Sequence, residues 1–206
     1  MRVFVSGATG YIGMQLVKRL LQQGNLVHAL CRSESKADLI REKGVRLFQG
    51  DILDRDSLRR AMSGCDRAYH VAAFAGIWTR DHSVIFRINV EGSLNVIEEA
   101  KKSGIGRVVV CSTAGVFGPS AGEPVTEEAP PPLTFFTPYE ASKMKMEESL
   151  LSRVEKIPEV VVVNPTRVYG PGYLSESNGV TRMIIRYLQG KWHVLPGHGN
   201  SVGNYV

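Results

Sequence analysis

Val3-Phe4-Val5-Ser6-Gly7-Ala8-Thr9-Gly10-Tyr11-Ile12-Gly13 begins as an apolar run, breaks into three glycines and passes, from about Gln15, into a helical pattern. After a buried strand, glycines let the chain turn tightly, let backbone approach a pyrophosphate, and let the next helix pack close to the sheet. The helix start adds free N–H groups and the positive end of its dipole, both suited to phosphates. A glycine triplet alone also fits a structural strand-turn-helix. Its place ahead of alternating strand and helix patterns makes Gly7, Thr9, Gly10, Tyr11, Ile12 and Gly13 candidate contacts for a dinucleotide.

Working outward, strand patterns fall at 2–6, 26–31, 45–49, 68–72, 107–112 and 160–164. Helical patterns fall near 11–23, 35–43, 57–62, 82–103, 138–155 and 179–188. Gly24, Gly44, Gly64 and Gly104 stand where helices should stop. The alternation predicts an α/β fold: a Rossmann-type doubly wound parallel sheet in the order 3-2-1-4-5-6, with room for a further strand. Its ligand crevice would lie at the carboxyl ends of the strands.

With 206 residues, 43% of them hydrophobic, the chain can bury one full core and part of a second unit. We expect a dinucleotide-binding domain at 1–165 and a partial, C-terminally truncated substrate lobe at 166–206. The net charge of +5 is scattered, with acids between the bases, so no basic stripe for nucleic acid appears. Cys31, Cys65 and Cys111 are few and far apart, which suits reduced thiols in a cytoplasmic protein rather than a disulfide frame or metal site. Met1 leads straight into the first strand, leaving no room for a signal peptide. No apolar run reaches membrane-spanning length.

Two segments interrupt the rhythm. Residues 123–138 hold Pro124, Pro130, Pro131, Pro132 and Pro138, so they should wander over the surface, as a rim or lid of the active site. The tail from Lys191 is rich in glycine and reads as cut short. The helix at 82–103 carries Val84, Ile85, Phe86, Ile88, Val90, Leu94, Val96 and Ile97 on more than one face, unlike a helix wet on one side.

In Tyr139-Glu140-Ala141-Ser142-Lys143, a tyrosine and a lysine stand four apart on a helix, so hydroxyl and ammonium can converge. A phenol needs its pKa lowered by roughly 3 units for base catalysis at neutral pH, which a close ammonium in a dry cleft can supply. A surface pair has the same spacing. At the end of the fifth strand, Ser112 and Thr113 place hydroxyls where the crevice lies, able to bond a substrate oxygen. Both also suit a plain strand end.

Taken in order, Gly7 to Gly13, Gly50-Asp51-Ile52, His70-Val71-Ala72-Ala73, Asn89-Val90-Glu91-Gly92, Ser112-Thr113, Tyr139 to Lys143, and Asn164-Pro165-Thr166-Arg167-Val168-Tyr169-Gly170 resemble the extended short-chain dehydrogenase/reductases. These make up the NAD(P)-dependent epimerase/dehydratase superfamily, and the likeness is strongest to its dihydroflavonol-4-reductase-like branch. The resemblance covers the whole chain. It implies Tyr139 as general acid/base, Lys143 holding the nicotinamide ribose, and Thr113 as the active-site hydroxyl with Ser112 a near substitute. It further implies Asp51 and Ile52 beside the adenine, Ala72 and Ala73 along the cofactor, and Asn164, Pro165 and Val168 near the nicotinamide. Asn89 is implied as a support within its helix, and the helices at 82–103 and 138–155 as a homodimer bundle.

NAD-preferring sites carry an acid about twenty residues after the glycines. Here Arg32 ends that strand and Lys36 follows, with Glu34 the only nearby acid, which favours NADP(H) over NAD(H). Dehydratases of this type place an acidic residue after the active-site Thr. Ala114 and Gly115 stand there instead. The expected activity is therefore hydride transfer between NADP(H) and a small carbonyl or alcohol. Nucleotide-sugar epimerisation is the alternative, and a non-catalytic NADP-binding sensor a second one. Phe74, Ile77, Trp78, Phe135 and Phe136 are candidates for an apolar substrate wall. The five histidines lack ligand spacing, His70 is expected to pack within its strand, and no metal is assigned.

Overall fold

The computed structural model describes residues 1–76, 79–120, 125–152, 158–173 and 178–193, together with the backbone of 203–205. Ile77, Trp78 and most of the glycine-rich tail lie outside these residues. Six parallel strands form the sheet: β1 (Arg2–Ser6), β2 (Leu26–Cys31), β3 (Val45–Gln49), β4 (Arg67–His70), β5 (Arg107–Cys111) and β6 (Glu159–Val163). Their order is β3-β2-β1-β4-β5-β6, the expected one. The direction of winding reverses between β1 and β4, and in open sheets of this kind ligands bind at such a reversal, outside the carboxyl ends of the strands.

Period-two alternation divides the core between the two faces of the sheet. Phe4, Val108 and Val110 pack on one face with Leu58, Met62, Val96 and Met146. Val3, Val5, Val27 and Ala29 pack on the other with Val17 and Leu20. β1 and β5 are apolar between their end residues because helices cover both sides of the sheet. At the edge, β6 leaves Val161 and Val163 exposed.

The helices are α1 (Tyr11–Gln22), α2 (Glu34–Ala37), α3 (Arg55–Met62), α4 (Ser83–Phe86), α5 (Gly92–Lys102), α6 (Pro138–Leu151) and α7 (Gly179–Leu188). Gly24, Gly44, Gly64 and Gly104 all have φ between 69° and 96°, the left-handed turn that ends each connection. Two expectations change. The helix expected at 35–43 is a single turn, α2, continued as 3-10 helix to Ile40, because only Ala37 and Ile40 find core to cover. The helix expected at 82–103 is interrupted by a π turn at Arg87–Glu91 between α4 and α5. The inserted residue turns Asn89 fully inward.

The proline-rich segment is irregular where described, and its Pro132 lies against Gly118, just past the end of β5. Beyond β6, β7 (Arg167–Tyr169) pairs in parallel with β8 (Gly203–Tyr205) as a separate two-stranded sheet. Among the described residues no helix is long and apolar enough to cross a membrane.

Candidate active site

The glycine loop joins β1 to α1 at the reversal of the sheet. Gly7 has φ +72°, and a Cβ there would lie 2.5 Å from the Ala72 backbone nitrogen. The loop after β1 and the loop after β4 thus meet backbone to backbone, which only glycine permits. A Cβ on Gly13 would overlap the Gly7 carbonyl. Gly10 precedes α1 without a side-chain cap, and the first turn of α1 carries no acid, so its N–H groups stay available to an anion. Thr9 and Ile12 are half-buried beside them. The buried Tyr11 hydroxyl has no hydrogen-bond partner. These features fit the pyrophosphate of a dinucleotide.

Arg32 follows β2 and Lys36 lies in α2, both exposed. Asp51 is half-buried, and its carboxylate accepts from the Leu53 N–H at 2.9 Å within its own turn. Ile52 is a core residue packed on α5, where a Cβ on Gly92 would meet its Cδ1. Its carbonyl accepts from Asn95 Nδ2 at 3.2 Å.

Helix α6 starts with a capping box: Thr137 Oγ1 accepts from the Glu140 N–H, and Glu140 accepts from the Thr137 N–H. That fixed start places Tyr139, Lys143 and Glu147 on one face at successive steps of four. Lys143 is 1% exposed, and its Nζ donates to the Cys111 carbonyl at 2.8 Å. Burial lowers its pKa to about 8, partly opposed by charge on Cys111 and by Glu147. Tyr139 moves opposite to expectation. Burial pushes its phenol up to about 12, reinforced by Cys111 and Glu140. The ammonium is bound to a strand carbonyl and burial dominates, so the phenol is protonated at neutral pH.

Thr113 follows β5 in extended conformation, and its Oγ1 accepts from the Gly115 N–H at 3.2 Å, which leaves the hydroxyl proton free to donate. Ser112 is buried, and its Oγ has no hydrogen-bond partner. A Cβ on Gly115 would lie 2.8 Å from Glu140 Cγ, so glycine lets the Thr113 turn close onto the first turn of α6. Asn164 Nδ2 donates to Glu147 Oε1 at 2.8 Å and to the Thr113 carbonyl at 3.3 Å. The Pro165 carbonyl accepts from the Ala114 N–H at 2.9 Å. The segment after β6 is thereby locked beside Thr113. Val168 sits in β7, paired with Asn204 of the small sheet. Gln15 Nε2 donates to the Pro171 carbonyl at 3.3 Å and ties the chain after β7 to α1.

Ala72 and Ala73 line the loop after β4, and Asn89 clamps the next residue. Its Oδ1 accepts from the Phe74 N–H at 2.7 Å, and its Nδ2 donates to the Phe74 carbonyl at 3.2 Å. Of the residues expected to form an apolar wall, Phe74 and Phe135 are half-buried and Phe136 is 81% exposed, whereas Ile77 and Trp78 lie outside the described residues. Two contributors escaped the sequence reading. Glu147 was signalled by its spacing of four from Lys143; Ser142, bonded to Asn89, carried no signal of its own.

The model of the NAD dependent epimerase/dehydratase family matches residues 3–206. A putative dihydroflavonol 4-reductase of Synechocystis sp. is 32% identical over 205 residues, covering 98% of this chain and 58% of that protein. A 2-alkyl-3-oxoalkanoate reductase of Stenotrophomonas maltophilia is 31% identical, covering 98% of this chain and 60% of that protein. The crystal structure of Thermus thermophilus UDP-glucose 4-epimerase, a complex with NAD, superposes with TM-score 0.80 at 31% identity, covering 92% of this chain and 63% of that one. The chain thus spans about 60% of the length of the curated relatives it matches. On the match across residues 3–206, supported by these likenesses, the chain belongs to the NAD-dependent epimerase/dehydratase family.

Proposed function

We propose that this protein reduces a small ketone or aldehyde with NADPH, Tyr139 acting as general acid. The observation that carries this reading is the half-buried Tyr139 in the first turn of α6, onto which the Thr113–Gly115 turn closes through the contact of Gly115 with Glu140, just past the carboxyl end of β5. A neutral phenol is the form that donates a proton to a developing alkoxide. The bound nicotinamide supplies the hydride. Thr113 donates its free hydroxyl proton to the substrate oxygen, with Ser112 behind it. Lys143 holds the ribose, oriented by the Cys111 carbonyl. Gly7 to Gly13 cradle the pyrophosphate, with Asp51, Ala72, Ala73, Asn164, Pro165 and Val168 along the cofactor. Ile52 supports the adenine from the core.

NADP(H) is preferred over NAD(H) in this reading because Arg32 and Lys36 stand exposed where a 2′-phosphate would sit. We place the division between cofactor domain and substrate lobe after Pro165, a homodimer through the α4–α5 segment and α6, and the protein in the cytoplasm. Exposed Phe86 on α4 and Leu151 on α6 support the homodimer, and three free cysteines suit a reducing compartment.

The test is absorbance of reduced nicotinamide across a panel of carbonyl compounds, with Tyr139→Phe as control. Substrate-dependent loss of NADPH is expected. The control should lose about 100-fold or more in turnover and keep its cofactor affinity. Unchanged turnover in the control overturns the role of Tyr139. Sugar-nucleotide product formed without net cofactor consumption would mean epimerisation, the reading favoured by the likeness to a UDP-glucose 4-epimerase.

A further inference from the structure

Six residues form one hydrogen-bond chain from the glycine loop to the start of α6. Ser6, immediately before Gly7, meets His70 Nδ1 at 2.7 Å, and His70 Nε2 meets Ser93 Oγ at 2.8 Å. Ser93 donates its only hydroxyl proton to the Asn89 carbonyl at 2.6 Å. It can therefore only accept from His70, which fixes the proton on Nε2 and makes Nδ1 the acceptor of the Ser6 hydroxyl. The Asn89 side chain then clamps Phe74 and donates to Ser142 Oγ at 2.8 Å, while Ser142 donates to the Tyr139 carbonyl at 2.6 Å. His70, Asn89, Ser93 and Ser142 are each 1% exposed or less. Every hydroxyl proton along the path is used once, so the chain has a single direction.

Such a chain tolerates no slack, because a buried donor or acceptor left unpaired is costly. Burial and the nearby Lys143 charge push His70 down to about 3, so it stays neutral and relays no proton at physiological pH. We propose that His70 and Ser142 are positioning residues next to the two ends of this chain, coupling the dinucleotide loop at Ser6-Gly7 to the placement of Tyr139. The proposal rests on the reading of Gly7 to Gly13 as the dinucleotide loop and Tyr139 as the acid. It adds that cofactor binding and tyrosine placement are one event.

The test measures NADP(H) affinity by nucleotide fluorescence, a readout that does not pass through the Tyr139 hydroxyl. Ser142→Ala lies on α6, yet it should weaken dinucleotide binding about tenfold, and the His70→Leu/Ser142→Ala double variant should weaken it no more than His70→Leu alone. His70→Gln offers an acceptor and a neutral donor with similar spacing and should restore affinity to within about twofold of the parent. Should His70→Leu fail to fold, Ser142→Ala and His70→Gln carry the test. Unchanged affinity in Ser142→Ala, additive effects in the double variant, or no rescue by His70→Gln overturns the coupling. If Tyr139→Phe keeps its turnover while these affinities behave as expected, the acid–base reading fails and the coupling stands.

Discussion

Lys143 Nζ donates to the Cys111 carbonyl at 2.8 Å, joining α6 to the end of β5 through an ammonium that is all but sealed from solvent. A cation held this way is a cost to the fold, one that the role proposed for it at the ribose would explain.

The cost has a pH signature. Lys143 titrates at about 8 instead of 10.5, so between those values the folded chain binds fewer protons than the unfolded one and stability rises with pH. The destabilisation, about 3 kcal/mol, is fully present below pH 8 and is relieved as pH climbs to 10.5. Lys143→Met removes the charge but strands the Cys111 carbonyl, at about 1 kcal/mol. We expect this variant to be about 1–2 kcal/mol more stable than the parent at neutral pH and inactive. The gap should close or reverse near pH 10.5. Chemical denaturation at three pH values decides it.

Gly13→Ala inserts a methyl into the Gly7 carbonyl, with Ala8 Cα at 2.9 Å behind it. Backbone cannot yield as a flexible side chain can, so a loss of about 2 kcal/mol is expected, with dinucleotide affinity down more than about tenfold. Thermal melting with and without NADP checks both, and a wild-type response to the nucleotide would refute the close-approach argument.

Arg32→Ala should raise the Kd for NADP about tenfold and leave that for NAD within about twofold, since one charge-assisted bond to a phosphate is lost. Parallel titrations with the two nucleotides measure the ratio. Equal effects on both would assign Arg32 to the surface.

Glu99 is fully buried, with Lys102 Nζ at 2.8 Å, Arg59 Nε at 3.3 Å and Arg55 Nη1 at 4.0 Å. Burial raises its carboxyl, but the Lys102 hydrogen bond and the charges of Lys102, Arg59 and Arg55 together hold it below its ordinary value. A lowered acid stabilises the fold above its unfolded pKa and loses that contribution as pH falls through the folded one. Glu99→Gln should therefore cost about 2 kcal/mol at neutral pH and flatten the acid limb of the stability curve. A melting series from pH 7 down to pH 3 would show it, and parallel curves for the two proteins would exclude the network.

Much of this molecule is local, and what is local was legible. The order of strands followed from apolar runs alternating with helical periods, and four turn glycines marked where the elements end. Lys143 and Tyr139 were found by their spacing on one helix. The direction of the Tyr139 shift was not, because it is set first by burial and then by Cys111 and Glu140, while the ammonium is held by a strand carbonyl 32 residues away in sequence. The π turn was hidden for a similar reason: apolar periodicity cannot report one inserted residue, whereas the clamp of Asn89 on Phe74 requires it.

By itself, the sequence determined the doubly wound sheet, the glycine loop and the residue types at the carboxyl ends, since these rest on periodicity and on backbone freedoms that a single position carries. Only the tertiary structure decided the protonation and hydrogen-bond direction of the site. Burial and long-range partners set those, and neither belongs to any one stretch of chain.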